Sequence, residues 1–522
     1  MNSKAIVSGA VILFVGNLLS SFLGLFREVL LAAQYGADVD MDSYLFANAV
    51  PSILLAFVTS VFLTGFIPLF IKARVHQSAE EASLMFSNTV NWFIVIILGI
   101  IGICYAFSSG LSAIFADNPA VHEKVEHLLW ILLPGMLFFG LSYAQSTVLN
   151  SLNHFTLPAL LSVLNNIVVI VFMVLFHQSM GIYSVAVGYV LGNVLQVVVQ
   201  IPVVRKKGVR YRFYIRIKDE YLRKLLTMSL PIITLVLIDQ TMVFASRYFS
   251  AYLDAGSASA INYANRILML PVTLFGTAMV SATYPSAVQM WTENKRKEYN
   301  TIVSTGIKSL LLILIPIFFF CMLFATNIVQ ALLERGAFDE KATRMTSTVF
   351  LVLSAAIVIM PVRDFFNKLF FSRGQFKTPI TYSLIYTAGF VTSCFILVPL
   401  IGYIGIAVST IGSLTVSFAY LVLTYKRLNK GETIGIAFSY FMKIVLSAGV
   451  SSGLAYGLYW EVLRDLVPGK LGDLIVTVLA IGAGFALYFV LVKMLKVEEV
   501  NFVWNKLSAK FQPGRRRAAA EG

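Results

Sequence analysis

Arg27-Glu28, Asp42, Asp239, Arg247, Arg266, Arg363-Asp364 and Lys368 all fall inside, or at the edge of, long apolar runs. A charge at membrane depth is costly, so such residues usually face a protein interior or a water-filled cavity. Arginine suits that setting through its planar, permanently charged fork, which matches diphosphate or carboxylate oxygens. A central cavity lined by several arginines would select an anionic headgroup over a cationic drug. The substrate-binding candidates are therefore Arg27, Arg247, Arg266 and Arg363, with Asn165, Asn166 and Gln240 offering neutral hydrogen bonds to a sugar or peptide. Glu28, Asp42 and Asp239 are the candidates for coupling or gating. They would pair with the arginines when substrate is absent, or carry a coupling ion, Na⁺ or H⁺; the membrane potential is the other available driving force.

Each candidate also has a structural alternative. Arg27, Asp42 and Arg247 lie near an interface, where such side chains snorkel to water. Lys368 is close to a cytoplasmic end and fits the positive-inside pattern. Arg363-Asp364 could be an ion pair that serves packing alone, and amides hold helices together in membranes. Asp239 and Arg363 are too deep to snorkel.

The elements that must position these residues are apolar helices. The 522 residues are 58% hydrophobic and 13% charged, against about 25% charged in an ordinary soluble domain. So much apolar surface requires lipid as its solvent. A span needs roughly 20 apolar residues, and this ruler places spans near 5–25, 43–71, 86–107, 128–150, 158–176, 183–204, 225–249, 259–287, 303–325, 345–371, 380–398, 403–425, 437–459 and 472–494. The fold class expected is an all-α polytopic membrane protein of about fourteen transmembrane helices. The second, eighth and tenth spans are long enough that they must tilt, bend or project. Pro51, Pro68, Pro271 and Pro285 are the expected bending points.

The net charge of +14 is confined to short segments between spans, which excludes a nucleic-acid partner. With the N-terminus inside, cytoplasmic segments hold about 27 Lys plus Arg and external ones about 7. Arg205-Lys206-Lys207 through Arg223-Lys224 contributes most, with Lys295-Arg296-Lys297, Lys426-Arg427 and the tail around Arg515-Arg516-Arg517 adding more. Both termini are then cytoplasmic. The first apolar stretch continues into Gly24-Leu25-Phe26-Arg27-Glu28 without a cleavage site, so it reads as a retained span rather than a signal peptide.

The chain also repeats itself. A hairpin from Pro158-Ala159-Leu160, turning at Gly181-Ile182, ends at Arg205-Lys206-Lys207-Gly208. A second, from Pro379-Ile380-Thr381, turns at Gly402-Tyr403-Ile404-Gly405 and ends at Lys426-Arg427-Leu428-Asn429-Lys430-Gly431. The offset of about 220 residues is six spans, an even number, so the copies share one orientation as parallel repeats. Residues 1–210 would form an N-lobe, 211–432 a C-lobe, and 433–522 two further helices with a cytoplasmic tail.

Catalysis has no foothold. There is no nucleotide-binding loop, nucleophile elbow or zinc-protease motif. Cys104, Cys321 and Cys394 are dispersed in apolar runs, and five histidines form no cluster, so neither a metal nor a cofactor is expected.

Gly24-Leu25-Phe26-Arg27-Glu28, Tyr35-Gly36-Ala37, Met41-Asp42-Ser43-Tyr44, Asn262-Tyr263-Ala264-Asn265-Arg266, Leu333-Glu334-Arg335-Gly336-Ala337-Phe338-Asp339 and Phe371-Ser372-Arg373-Gly374-Gln375-Phe376-Lys377-Thr378-Pro379 are similar to stretches of the MurJ/MviN family of lipid II flippases. That family lies in the multidrug/oligosaccharidyl-lipid/polysaccharide exporter superfamily. The resemblance implies two six-helix lobes plus two C-terminal helices that form a lipid-facing groove. It implies alternating access, moving an undecaprenyl-diphosphate-linked glycan between leaflets of the bacterial cytoplasmic membrane for cell-wall and cell-shape biogenesis. It assigns Arg27 and Arg266 to the cavity, Glu28 and Asp42 to the acidic positions, and Asn165 or Asn166 to an asparagine of the fifth span. One stretch departs from the pattern. Many members carry a paired arginine followed by Glu-Gly-Ala-Phe in span 2, whereas Pro51 to Ser60 is uncharged here, so Arg247 or Arg363 would have to substitute.

The function expected is a flippase for such a precursor, lipid II first, with membrane lipids and envelope-synthesis enzymes as its surroundings and no enzymatic step. Alternatives are export of another lipid-linked oligosaccharide, cation-coupled export of small molecules, a non-transporting scaffold, and a polytopic glycosyltransferase. The arginines argue against a cation-coupled drug exporter, and the short external loops against a glycosyltransferase.

Overall fold

The computed structural model describes residues 3–116, 118–429, 437–464, 469–497 and 499. Among them are α-helices and no β-strand: α1 (Ser3–Tyr35), α2 (Val39–Val61), α3 (Ile67–His76), α4 (Ala79–Ala106), α5 (Ser108–Ala113), α6 (Pro119–Ser151), α7 (Thr156–Met180), α8 (Tyr183–Lys206), α9 (Glu220–Ala251), α10 (Ser257–Pro271), α11 (Ala278–Thr292), α12 (Arg296–Leu323), α13 (Ala325–Leu333), α14 (Glu340–Leu353), α15 (Ala356–Ser372), α16 (Lys377–Ile401), α17 (Tyr403–Leu428), α18 (Phe438–Leu458) and α19 (Lys470–Met494). Three π-helical turns, Phe62–Phe66, Val272–Thr277 and Tyr459–Leu463, interrupt or extend them.

Each of the fourteen apolar segments falls on its own helix or helix run. Eleven helices are long and apolar enough to cross a membrane, and α14 with α15 makes a twelfth, bent by 43°. The 33-residue α1 and the run of α10, a six-residue π turn and α11 account for the other two. Local sequence sets the starts. Ser78 accepts the Glu81 N–H at 3.0 Å to begin α4, with Glu80 and Glu81 in its first turn. Asp219 does the same for Leu222 at 2.9 Å at the head of α9. The short helices α5 and α13 lie between expected spans and had no counterpart in the hydropathy.

The three long spans are each interrupted, and each interruption has a readable reason. The π turn Phe62–Phe66 runs into Pro68 near the start of α3, and the turn Val272–Thr277 follows Pro271 directly. Proline lacks the N–H for the i−4 carbonyl and clashes with it, so the ladder must widen or break nearby. In the tenth span the break comes at Ser354, whose hydroxyl donates to the Leu351 carbonyl at 2.7 Å. That bond competes with the backbone ladder, and Ile357 then bonds the Ser354 carbonyl over a shortened turn at 3.0 Å.

The chain divides into two compact units. Unit 1 comprises Met1–Tyr263, Leu333–Ala342 and Thr387–Ser409; unit 2 comprises Ala264–Leu332, Thr343–Tyr386 and Thr410–Gly522. In unit 1, α6, α7 and α8 are joined by buried amides and hydroxyls. Asn165 donates to Asn193 at 3.0 Å, Ser142 to Gln196 at 3.0 Å, Gln196 to the Leu161 carbonyl at 2.8 Å, and Gln200 to Ser142 Oγ at 2.9 Å. Without a hydrophobic force between helices in lipid, such bonds and small contact residues hold them together. Gly192 is one of those small residues, since a Cβ there would stand 2.5 Å from the Asn165 amide. Unit 2 relies more on aromatic packing. Phe320 of α12 and Phe324, just past its C-terminal end, meet Tyr459 and the buried Ala455 and Ala480 of the last two spans. Tyr488 of α19 donates to the Leu312 carbonyl at 2.8 Å.

The Lys430-Gly431 end of the second hairpin and the tail carrying Arg515 to Arg517 lie outside the described residues.

Candidate functional site

In unit 1, Arg27 of α1 donates to Asn166 Oδ1 of α7 at 3.0 Å and to Glu28 Oε1 at 2.9 Å. Its side chain is 19% exposed and that of Glu28 only 4%, so the charge is shielded yet reachable. Asn166 in turn donates to the Ser20 carbonyl at 3.4 Å. The guanidinium is thus held by a carboxylate on one side and an amide on the other, with donors to spare for a further anion. Both amide hydrogens of Asn165 are turned to α8, toward Asn193 and, at 3.4 Å, the Tyr189 carbonyl. Of the two asparagines, Asn166 is the one that reaches the charged pair.

A second cluster of unit 1 forms around Asp42. Near the head of α2, this carboxylate accepts from Gly256 N at 2.8 Å, Ser259 N at 2.7 Å and Ser259 Oγ at 2.5 Å. These are the orphan donors of the α10 N-terminus, so Asp42 caps a helix distant in sequence. The cap is buried, with Asp42 5% exposed. Around it the turns interlock. Tyr263 donates to the Gly36 carbonyl at 3.0 Å, and Ala337 N donates to the Ala33 carbonyl at 2.8 Å. Gly336, at φ +59°, brings its backbone so close to Ala33 that a Cβ would lie 2.2 Å from that carbonyl; Gly256, at φ +90°, does the same to Ala37. Only glycine combines that left-handed backbone with that approach. Tyr263 and Phe338 close the cluster edge to face, with centroids 5.6 Å apart. The α1–α2 turn, the α10 N-terminus and the Arg335 loop therefore form one clasp.

The other unit 1 candidates sit on α9. Arg247 donates to Asn262 Oδ1 at 3.3 Å, while Asp239 is exposed along the helix.

Unit 2 holds the remaining arginines. Arg266 is exposed on α10. Arg363 donates to Asp364 Oδ1 through Nε at 2.9 Å and Nη2 at 2.6 Å, and lies 5.9 Å from the Tyr382 ring centre. Asp364, Asn367 and Lys368 line a cavity of about 250 Å³ beside the π turn at Val272–Thr277, together with Gly276 and Pro361. Asn367 Oδ1 is buried there without a hydrogen-bond partner. No group of His, Cys, Asp or Glu among the described residues could hold a metal.

Sequence reasoning found the charged residues but not several of their partners. Ser259 and Gly256, which receive Asp42, are ordinary turn residues in sequence. Asn367 is a single amide in an apolar helix, and Asn193, Gln196 and Gln200, spaced by three and then four residues, could have been read as one face of α8.

Comparison with known proteins decides the family. A model of the family "Lipid II flippase MurJ" matches residues 31–477. The chain belongs to the lipid II flippase MurJ family. Arg27 and Glu28 lie just before the matched residues. The lipid II flippase MurJ of Burkholderia cenocepacia is 25% identical over 75% of this chain and 78% of its own length. The probable lipid II flippase MurJ of Buchnera aphidicola is 27% identical over 71% and 73%. A solved lipid II flippase MurJ in an inward closed conformation shares the fold, with a TM-score of 0.78 at 23% identity over 93% of this chain and 98% of its own. An inward-facing multidrug resistance transporter of the MATE family aligns at 0.68 and 16% identity, over 81% of this chain and the whole of that one. MurJ membership makes this chain a multi-pass inner-membrane transporter of the peptidoglycan pathway, not an enzyme, and its fourteen-span all-α architecture is that of the family fold.

Proposed function

We propose that this chain translocates lipid II across the cytoplasmic membrane by alternating access, with the diphosphate held by arginines. The observation that carries the reading is the Arg27 site, where Asn166 and Glu28 fix a shielded guanidinium that keeps free donors. Arg266 is the second diphosphate ligand proposed, with Arg247 and Arg363 as further contacts and Asn165 as part of the scaffold that sets Asn166. Glu28 neutralises Arg27 until the anion arrives. Asp239 is the coupling candidate, for Na⁺, H⁺ or the membrane potential. Asp42 gates through the clasp, since opening there must break its bonds to α10.

The loop charges support an orientation with both termini cytoplasmic, which puts the clasp at the external end. The hairpin repeat supports lobes at residues 1–210 and 211–432 with the last two spans outside them. Envelope-synthesis enzymes would supply and remove the cargo. The uncharged stretch Pro51 to Ser60 favours one second reading, a different undecaprenyl-diphosphate-linked oligosaccharide as cargo.

The test is reconstitution into vesicles with defined lipid-linked precursors, scoring which reaches the opposite leaflet. Arg27→Ala and Arg266→Ala should each abolish flipping while inserting normally. Normal translocation by both variants would overturn the arginine assignment.

A further inference from the structure

Away from the charged residues above, unit 1 contains a cavity of about 210 Å³ walled by Phe86, Val90 and Ile94 of α4, Leu141 of α6, and Val197 and Ile201 of α8. Phe86, Val90 and Ile94 recur every four residues, so the apolar wall runs for about 12 Å along one face of α4. At one end the lining changes character. Arg205, in the last turn of α8, and Tyr211 border it there. Arg205 is exposed, and its guanidinium has no hydrogen-bond or ion-pair partner among the described residues. Gln145 also lines the cavity, and its Oε1 is buried without a donor.

The rim is built rather than incidental. After α8 the chain runs as an extended strap over α4, its backbone held by side chains along one face of that helix. Arg210 N donates to Ser83 Oγ at 3.3 Å, Arg212 N to Ser87 Oγ at 3.0 Å and Arg216 N to Asn88 Oδ1 at 2.8 Å. Asn91 donates to the Tyr214 carbonyl at 3.1 Å and accepts from the Tyr211 hydroxyl at 2.6 Å. Val209, fully buried, closes the floor of the strap. Outward, the strap shows Phe213 at 83% and Ile217 at 71% exposure between its arginines. Residues 205–224 carry nine basic side chains, against Asp219 and Glu220. Glu80 neutralises only Arg212, at 2.7 Å. Interleaved aromatic, aliphatic and basic side chains beside membrane spans match the interface of an anionic bilayer.

We propose that this cavity is a binding site for one anionic glycerophospholipid, with an acyl chain between α4, α6 and α8 and the phosphate on Arg205. The apolar wall takes the chain, the unpaired guanidinium takes the phosphate, and Gln145 Oε1 accepts from a hydroxyl of the lipid. A zwitterionic lipid fits the wall equally well, but its own ammonium competes for the phosphate charge. The site is independent of the cargo reading, because none of its residues belongs to the Arg27, Asp42 or Arg363 clusters.

The test uses the full chain in nanodiscs containing phosphatidylglycerol or phosphatidylcholine, with retained lipid counted by native mass spectrometry. One phosphatidylglycerol should be retained over phosphatidylcholine by about tenfold. Arg205→Gln should reduce that preference to near unity, whereas Lys297→Gln, an equal charge loss elsewhere, should leave it intact. Ile201→Phe, which fills the cavity, should lower retention of both lipids. A variant-free measurement accompanies these: phosphatidylglycerol with a photoreactive acyl chain should label peptides spanning 86–94 and 197–211 of the unmodified protein. Equal retention of the two lipids, equal loss in Lys297→Gln, or labelling spread evenly over the spans overturns the proposal.

Discussion

Asp42 accepts hydrogen bonds from Gly256 and Ser259, 214 and 217 positions downstream, and this long reach makes it the most informative single residue. A carboxylate at the head of a span reads equally well as a snorkelling acid, a coupling group or a cap. The geometry selects the cap, because two backbone N–H groups and a hydroxyl converge on it in a buried place. Asp42→Ala would strand those donors and should destabilise the protein by about 3 kcal/mol, read as a lowered thermal unfolding midpoint in detergent. Asp42→Asn keeps an acceptor and should recover much of that loss. If Asn restores stability but not transport, the charge itself has a role beyond capping. Arg27 is the contrasting case. Its partners were within reach of sequence reading, since Glu28 is adjacent and Asn166 was a candidate. What the sequence could not supply was the choice between Asn165 and Asn166, neighbours one position apart on a helix that face different partners.

At the scale of the element, the hydropathy pattern was sufficient to place every span, because about 20 residues of apolar sequence is a requirement of bilayer thickness. All three long spans are interrupted: π turns stand beside Pro68 and Pro271, and the tenth span bends at Ser354, whereas Pro51 and Pro285 lie inside unbroken helices. The packing of α7 on α8 is argued most sharply at Gly192. A Cβ there would press on Asn165, whose amide is already bound to Asn193. Gly192→Ala should therefore cost about 1–3 kcal/mol, seen as faster loss of folded protein on heating, while Gly412→Ala, with open space around it, should be neutral. A neutral Gly192→Ala would mean that the α7–α8 contact yields more than this geometry allows. The strap after α8 was invisible as an element, since its basic residues read only as a cytoplasmic loop.

For the whole molecule, orientation is a matter of charge asymmetry, and it is testable directly. In a background with Cys104, Cys321 and Cys394 replaced, a cysteine at Phe213 should react only with reagent on the cytoplasmic side. A cysteine at Glu334 should react only from outside. Labelling of both from one side would sink the proposed topology and with it the external placement of the clasp.

Length and apolar runs by themselves determined an all-α polytopic membrane protein of about fourteen spans, because the bilayer leaves backbone polar groups no partners outside a helix. The short motifs around Gly36, Asp42, Tyr263 and Gly336 carried the family resemblance, yet nothing in their order announced that they meet. Tertiary structure alone brought them into one clasp, since hydrogen bonds between turns more than two hundred residues apart depend on how helices pack and not on any local spacing. It alone also separated Asn166 from Asn165 and gave Arg205 an apolar cavity to stand beside. Periodicity and composition are properties of a segment, whereas a site belongs to the surfaces that segments share.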